Sequence, residues 1–115
     1  LADVLEPGSI DAVVANPPYI PTDACARLAD NVRRFEPMAA LDGGPDGMEI
    51  TRQIIEESTM LLASGGFIFL EIGAEDDQAR PLGRYLADVG FEGVRAHRDV
   101  FGKERFLSGV LAAGL

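Results

Sequence analysis

The stretch Ile10-Asp11-Ala12-Val13-Val14-Ala15-Asn16-Pro17-Pro18-Tyr19 carries most of the information about the fold. Its first six residues are largely small or β-branched and apolar, the pattern of a buried strand in a parallel sheet. The run ends at Asn16, because neither Pro17 nor Pro18 has an N–H to give to a ladder. Open α/β sheets bind their ligands at the carboxyl ends of parallel strands, so the turn after Ala15 is a candidate site.

Downstream, residues 22–35 suggest one irregular helix carrying Leu28 and Val32, followed by Phe35-Glu36-Pro37. Ala40-Leu41-Asp42-Gly43-Gly44-Pro45-Asp46-Gly47 is a glycine-rich loop. A helix is predicted from Asp46, with Glu49 at the spacing of a reciprocal cap. Its apolar stripe is Ile50, Ile54, Leu61 and Leu62, with Ile55 and Met60 at the edge, and Gly65-Gly66 ends it. Phe67 to Ile72 reads as a second buried strand. Residues 77–89 read as a helix with Ala79, Leu82, Leu86 and Val89 inward, Pro81 being tolerated only near its first turn. After Gly90, Phe91 to His97 and Arg105 to Leu111 form two more strands. Strands alternating with helices predict a doubly wound α/β sheet, mostly parallel and covered on both faces. The last β–β pair adds one antiparallel strand at or near the edge.

Composition narrows the function. The chain has 115 residues, 47% of them hydrophobic and 25% charged, which is one globular unit without a second domain. No apolar run approaches the ~18 residues that cross a bilayer, so no membrane association is expected. Cys25, the single cysteine, excludes an internal disulfide and suits a reducing cytoplasmic setting. A net charge of −9 disfavours direct nucleic-acid binding, which depends on lysine and arginine neutralising phosphates. Arg33-Arg34 is too short for a basic patch. His97 stands alone, so no metal site is expected, and Cys25 has no partner His of a nucleophile pair.

Asn16-Pro17-Pro18-Tyr19 suits one kind of chemistry. An amide or aromatic amine nitrogen is a poor nucleophile because its lone pair is delocalised. A site that methylates it must grip the NH2 with two acceptors and aim the nitrogen at an electrophilic methyl. The Asn16 side-chain carbonyl can supply one acceptor and the Pro17 backbone carbonyl the other. The two proline rings stiffen the turn, and Tyr19 can cover the planar group. Catalysis of this kind is positioning for in-line displacement, with Asn16, Pro17 and Tyr19 as catalytic residues and Pro18 completing the substrate-binding turn. Glu36, Asp42 and Glu71 are possible general bases, but an alkylated amide loses its proton readily to water, and structural roles are the simpler reading. Gly43-Gly44-Pro45-Asp46-Gly47 lacks the spacing of a phosphate cradle and reads as a loop leading into a helix.

Taken together, Asn16-Pro17-Pro18-Tyr19-Ile20, Phe35-Glu36-Pro37, the Ala40–Gly47 loop, Gly65-Gly66, Leu70-Glu71-Ile72-Gly73, Asp99, Gly102 and Arg105 resemble the glutamine N5-methyltransferases of peptide chain release factors, a Rossmann-like class I methyltransferase family. The resemblance covers nearly the whole chain. It implies S-adenosylmethionine as cofactor and a release factor as protein partner and substrate. It places Asn16 to Tyr19 on the substrate glutamine, Asn16 also near the methyl donor, and Asp3 and Val4 beside the adenine. It makes the glycine-rich loop a buttress behind the substrate turn. The family's N-terminal helical domain, glycine-rich cofactor loop and ribose-binding acid have no counterpart here. Residues 1–115 are therefore expected to be the C-terminal portion of one catalytic domain, too little of the cofactor site to turn over alone. Three other readings stay open: an adenine-N6 nucleic-acid methyltransferase, which shares the tetrapeptide, a ribosomal-protein glutamine methyltransferase, and an inactive fragment.

Overall fold

The computed structural model describes residues 4–25, 41–74 and 77–113. Strand β1 (Ile10–Ala15) leads through the short helix α1 (Thr22–Cys25) to helix α2 (Glu49–Leu61) and strand β2 (Leu62–Glu71). Helix α3 (Ala79–Asp88) then leads to strand β3 (Phe91–Arg98) and strand β4 (Glu104–Leu111). The sheet order is β1-β2-β4-β3. β1 and β2 are parallel, while β4 runs antiparallel to both β2 and β3. The α3 crossover thus leaves a gap one strand wide, which the returning hairpin fills. The antiparallel strand expected near the edge lies one position in from it.

The core is Ile68, Leu70 and Ile72 against Ile55, Leu82, Leu86, Phe91 and Leu107, all at most 3% exposed. Side chains alternate across a strand, so Phe67 and Phe69 point away from this core. α2 and α3 share one face of the sheet, where Tyr85 Oη donates to Glu56 Oε1 at 2.6 Å. The other face shows Val14, Phe67 and Val110 at 71%, 46% and 45% exposure. Among the described residues, therefore, helices cover one face, against the expectation of two.

Helix boundaries differ from the sequence reading for identifiable reasons. Asp46 lies outside α2: its Oδ1 accepts the Met48 N–H at 2.8 Å and its Oδ2 pairs with Arg52 at 2.9 Å. Glu49 N donates instead to Gly43 O at 3.0 Å, so the loop itself takes up that orphan donor and no reciprocal cap forms. The buried face of α2 is Thr51, Ile55, Ser58 and Leu61, whereas Met60 is 54% exposed. An apolar count misses this face because two of its members carry hydroxyls. Ser58 Oγ satisfies itself by donating to Ile54 O at 2.6 Å.

Gly65-Gly66 does not end the helix. α2 stops at Leu61, and the glycines lie within β2, where the ladder jumps from Ile10↔Leu62 to Ala12↔Phe67. Gly65 has φ +80°, and a Cβ on Gly66 would sit 3.0 Å from Asp11 O. The pair forms a bulge, which needs that backbone freedom. α3 is shorter than predicted by two residues at its start and one at its end, with Ala79, Leu82 and Leu86 buried as expected and Val89 packed against the core. Only Thr22–Cys25 of the expected 22–35 helix is described; Leu28, Val32, Arg33, Arg34 and Phe35-Glu36-Pro37 lie outside the described residues.

Candidate active site

Asn16 follows the last residue of β1 and is exposed, while Pro17 is buried and Pro18 and Tyr19 are half-buried. Among the described residues no protein donor reaches the Asn16 side-chain oxygen or the Pro17 carbonyl. Asn16 borders two cavities. One, of about 200 Å³, is lined by Asn16 to Ile20 and Leu41. The other, of about 390 Å³, opens on the uncovered sheet face between Val14, Ala15, Phe69, Glu71 and Phe106. A group held in the first cavity can therefore meet a group held in the second at Asn16.

The turn is braced from behind. Ile20 N donates to Leu41 O at 3.2 Å and Gly43 N to Ile20 O at 2.8 Å, a parallel bridge between Ile20 and Asp42. Thr22 N donates to Gly44 O at 2.9 Å. A Cβ on Gly43 would lie 2.7 Å from Pro18 O and 2.5 Å from Gly47 O, so only glycine permits this approach. Asp42 Oδ1 accepts from Thr22 Oγ1 at 2.7 Å and from Gly44 N at 2.9 Å. These bonds, Thr22 first, lower its pKa, which makes it a loop fastener and a poor base.

A second brace comes from the β3–β4 hairpin. Asp99 accepts from Phe101 N at 2.8 Å and Lys103 N at 3.1 Å, and Arg105 Nε donates to its Oδ2 at 2.9 Å. The same guanidinium lies near the Tyr19 side chain. Asp99 and Arg105, expected to matter only through resemblance, thus lie beside the Asn16–Ile20 turn at Tyr19.

Gln78 is a site residue that the sequence reading missed. It is fully buried. Its Oε1 accepts from Gly73 N at 2.8 Å, and its Nε2 donates to Tyr19 O at 2.8 Å and to Gly47 O at 3.3 Å. Its partners lie up to 59 positions away in the chain, so no local spacing signals it.

The remaining candidates are placed as follows. Val4 is 78% exposed and lines neither cavity at Asn16; Asp3 and Glu36 lie outside the described residues. Glu71 lines the larger cavity. His97 Nε2 lies 2.7 Å from Ser108 Oγ, with its ring 5.7 Å from that of Phe69. Cys25 is buried against Ile20 O, and burial, then Asp42, raises its thiol pKa. Among the described residues no three His, Cys, Asp or Glu side chains converge for a metal, and no helix is long and apolar enough to cross a membrane.

A sheet of this order, with a turn at the carboxyl end of β1 and an antiparallel strand between two parallel neighbours, is a Rossmann-like fold. Its resemblance to a chain of the E. cuniculi Mtq2–Trm112 complex, described as responsible for methylation of the eRF1 translation termination factor, agrees: TM-score 0.61 at 22% identity, over 97% of this chain and 57% of that one. By sequence the relatives are more particular, and they are release factor glutamine methyltransferases. That of Thermosynechococcus vestitus is 40% identical over 100 residues, 87% of this chain and 34% of its own length. That of Caulobacter vibrioides is 40% identical over 102 residues, 89% and 35%. That of Gloeobacter violaceus is 43% identical over 98 residues, 84% and 34%. The chain spans about a third of the length of these curated relatives. No family model matches it.

Proposed function

We propose that this chain is the C-terminal portion of a methyltransferase domain that transfers a methyl group from S-adenosylmethionine to the side-chain amide nitrogen of a glutamine in a peptide chain release factor, in the cytoplasm. The observation that carries the reading is a pair of acceptors, Asn16 Oδ1 and Pro17 O, that no donor among the described residues claims, on a turn braced by the neighbouring loops. The glutamine NH2 donates its two hydrogens to them, which orients the nitrogen lone pair out of the amide plane and toward the larger cavity. S-adenosylmethionine, when bound, supplies an electrophilic methyl on a positively charged sulfur. With the nitrogen so aimed, its lone pair would form the N–C bond while the S–C bonding pair stayed on sulfur, and the extra proton on nitrogen would leave to water.

The lining of the larger cavity fits such a donor. Val14, Ala15, Phe69 and Phe106 offer an apolar surface, and Glu71 brings a carboxylate suited to a cation. Tyr19, near Arg105, can cover the planar amide and exclude water. Asp3 and Val4 remain candidates for the adenine end. The relatives' greater length supports placing the remainder of the cofactor site in a further part of such a domain.

The test is transfer of labelled methyl from S-adenosylmethionine by the full-length protein carrying these residues. The expected outcome is one methyl on a release-factor glutamine, located by mass spectrometry, with no transfer to duplex DNA. Methylation of adenine instead would overturn the proposal.

A further inference from the structure

We propose that Gln78 is a positioning residue for methyl transfer, a side chain that fixes the substrate turn relative to the end of β2. The inference rests on the proposed function, and it concerns turnover rather than binding. Pro17 and Pro18 leave the turn two N–H groups short, so its placement depends on donors from elsewhere. Gln78 Nε2 gives one hydrogen to Tyr19 O, inside the turn, and the other to Gly47 O, in the loop behind it. Its Oε1 takes the Gly73 N–H, two residues past the end of β2 and beside Glu71 of the donor cavity.

One amide thus links the wall that holds the nucleophile to the wall that faces the methyl donor. A carboxamide is the only side chain of this length with two donors and an acceptor in a single plane, and every one of those functions is used here. The surrounding glycines are cut to fit it: a Cβ on Gly73 would lie 3.0 Å from Gln78 Cδ, and one on Gly47 would lie 2.8 Å from Gln78 Nε2. Being fully buried, the amide makes these bonds in a low-dielectric setting, where they hold position firmly. In-line transfer is sensitive to such placement, since a misplacement of ~1 Å can cost roughly a hundredfold in rate.

The experiment uses the full-length protein, with kcat and the cofactor KM measured below the melting temperature of each variant. Gln78→Glu keeps an acceptor for Gly73 N–H and removes both donors. It is expected to lower kcat by about tenfold or more while the cofactor KM stays within about twofold. Leu86→Ala, a core truncation in α3 remote from the turn, is the control: it lowers the melting temperature and leaves kcat near the wild-type value. If Gln78→Glu does not accumulate as folded protein, Gln78→Asn, one methylene too short to reach both walls, carries the same comparison. A Gln78 variant that loses stability like Leu86→Ala but keeps its kcat would overturn the inference. Failure of the wild-type protein to methylate a release factor would instead strike at the proposed function, so the two failures are told apart.

Discussion

A buried hydroxyl and a free amide make opposite demands on single residues. Thr51 is fully buried in α2, and its Oγ1 has no hydrogen-bond partner among the described residues. An unpaired hydroxyl in an apolar setting is destabilising, so Thr51→Val is expected to raise stability by about 1 kcal/mol, read as a higher urea midpoint at unchanged slope. An unchanged or lower midpoint would mean the hydroxyl has a partner. No donor among the described residues claims the Asn16 side-chain oxygen, and the residue is exposed, so water can reach it. That oxygen is available for a ligand at no cost to the fold. The sequence made Asn16 and its prolines legible because the tetrapeptide is rare and sits at a strand end. It hid Thr51 and Ser58 because hydroxyl-bearing residues are counted as polar even where they are buried, and it hid Gln78 because three distant backbone groups define its role.

At the scale of elements, the strands were more legible than the helix ends. β1 follows from a β-branched run ended by prolines, although none of its residues is buried as the run suggested, and the hairpin strands follow from mixed stretches that begin after Gly90 and Gly102. The start of α2 could not be read correctly, since Asp46 and Glu49 fit a capping box while Gly43 O in fact takes the Glu49 N–H. Gly65-Gly66 imitates a helix stop yet makes a bulge, a distinction that exists only once β1 is alongside. The two loops that brace the Asn16–Ile20 turn each hinge on an aspartate. The pKa values of Asp42 and Asp99 are lowered from 3.8, by Thr22 and Gly44 in the first case and by Lys103 N–H and Arg105 in the second. A lowered folded-state pKa contributes stability that is complete above the unfolded value and is lost as pH falls through the folded one. The urea midpoint is therefore expected to be flat from neutral pH to about pH 4.5 and to fall below about pH 3.8, and Asp99→Asn should lessen that fall. An equal fall in the variant would remove the hairpin aspartate from the account.

At the scale of the whole chain, the described residues cover the two sheet faces unequally. Among the described residues, one face of the sheet is covered by α2 and α3, and the other presents Val14, Phe67 and Val110, of which Val14 also lines the larger cavity at Asn16. The expectation of two covered faces came from strand–helix alternation alone, which fixes how many helices there are but not which side they take. With about a third of its relatives' length present, the 115-residue chain alone is expected to bind S-adenosylmethionine more weakly than micromolar by calorimetry. A micromolar affinity would mean the larger cavity is already a complete cofactor site. The central claim is that Asn16 and Pro17 grip the substrate nitrogen, and the most direct test is Asn16→Ala in the full-length protein. Turnover on a release factor is predicted to fall by roughly a hundredfold while the cofactor dissociation constant changes by less than about threefold. Equal losses in both would show that Asn16 serves the cofactor, and the substrate grip would have to be sought elsewhere.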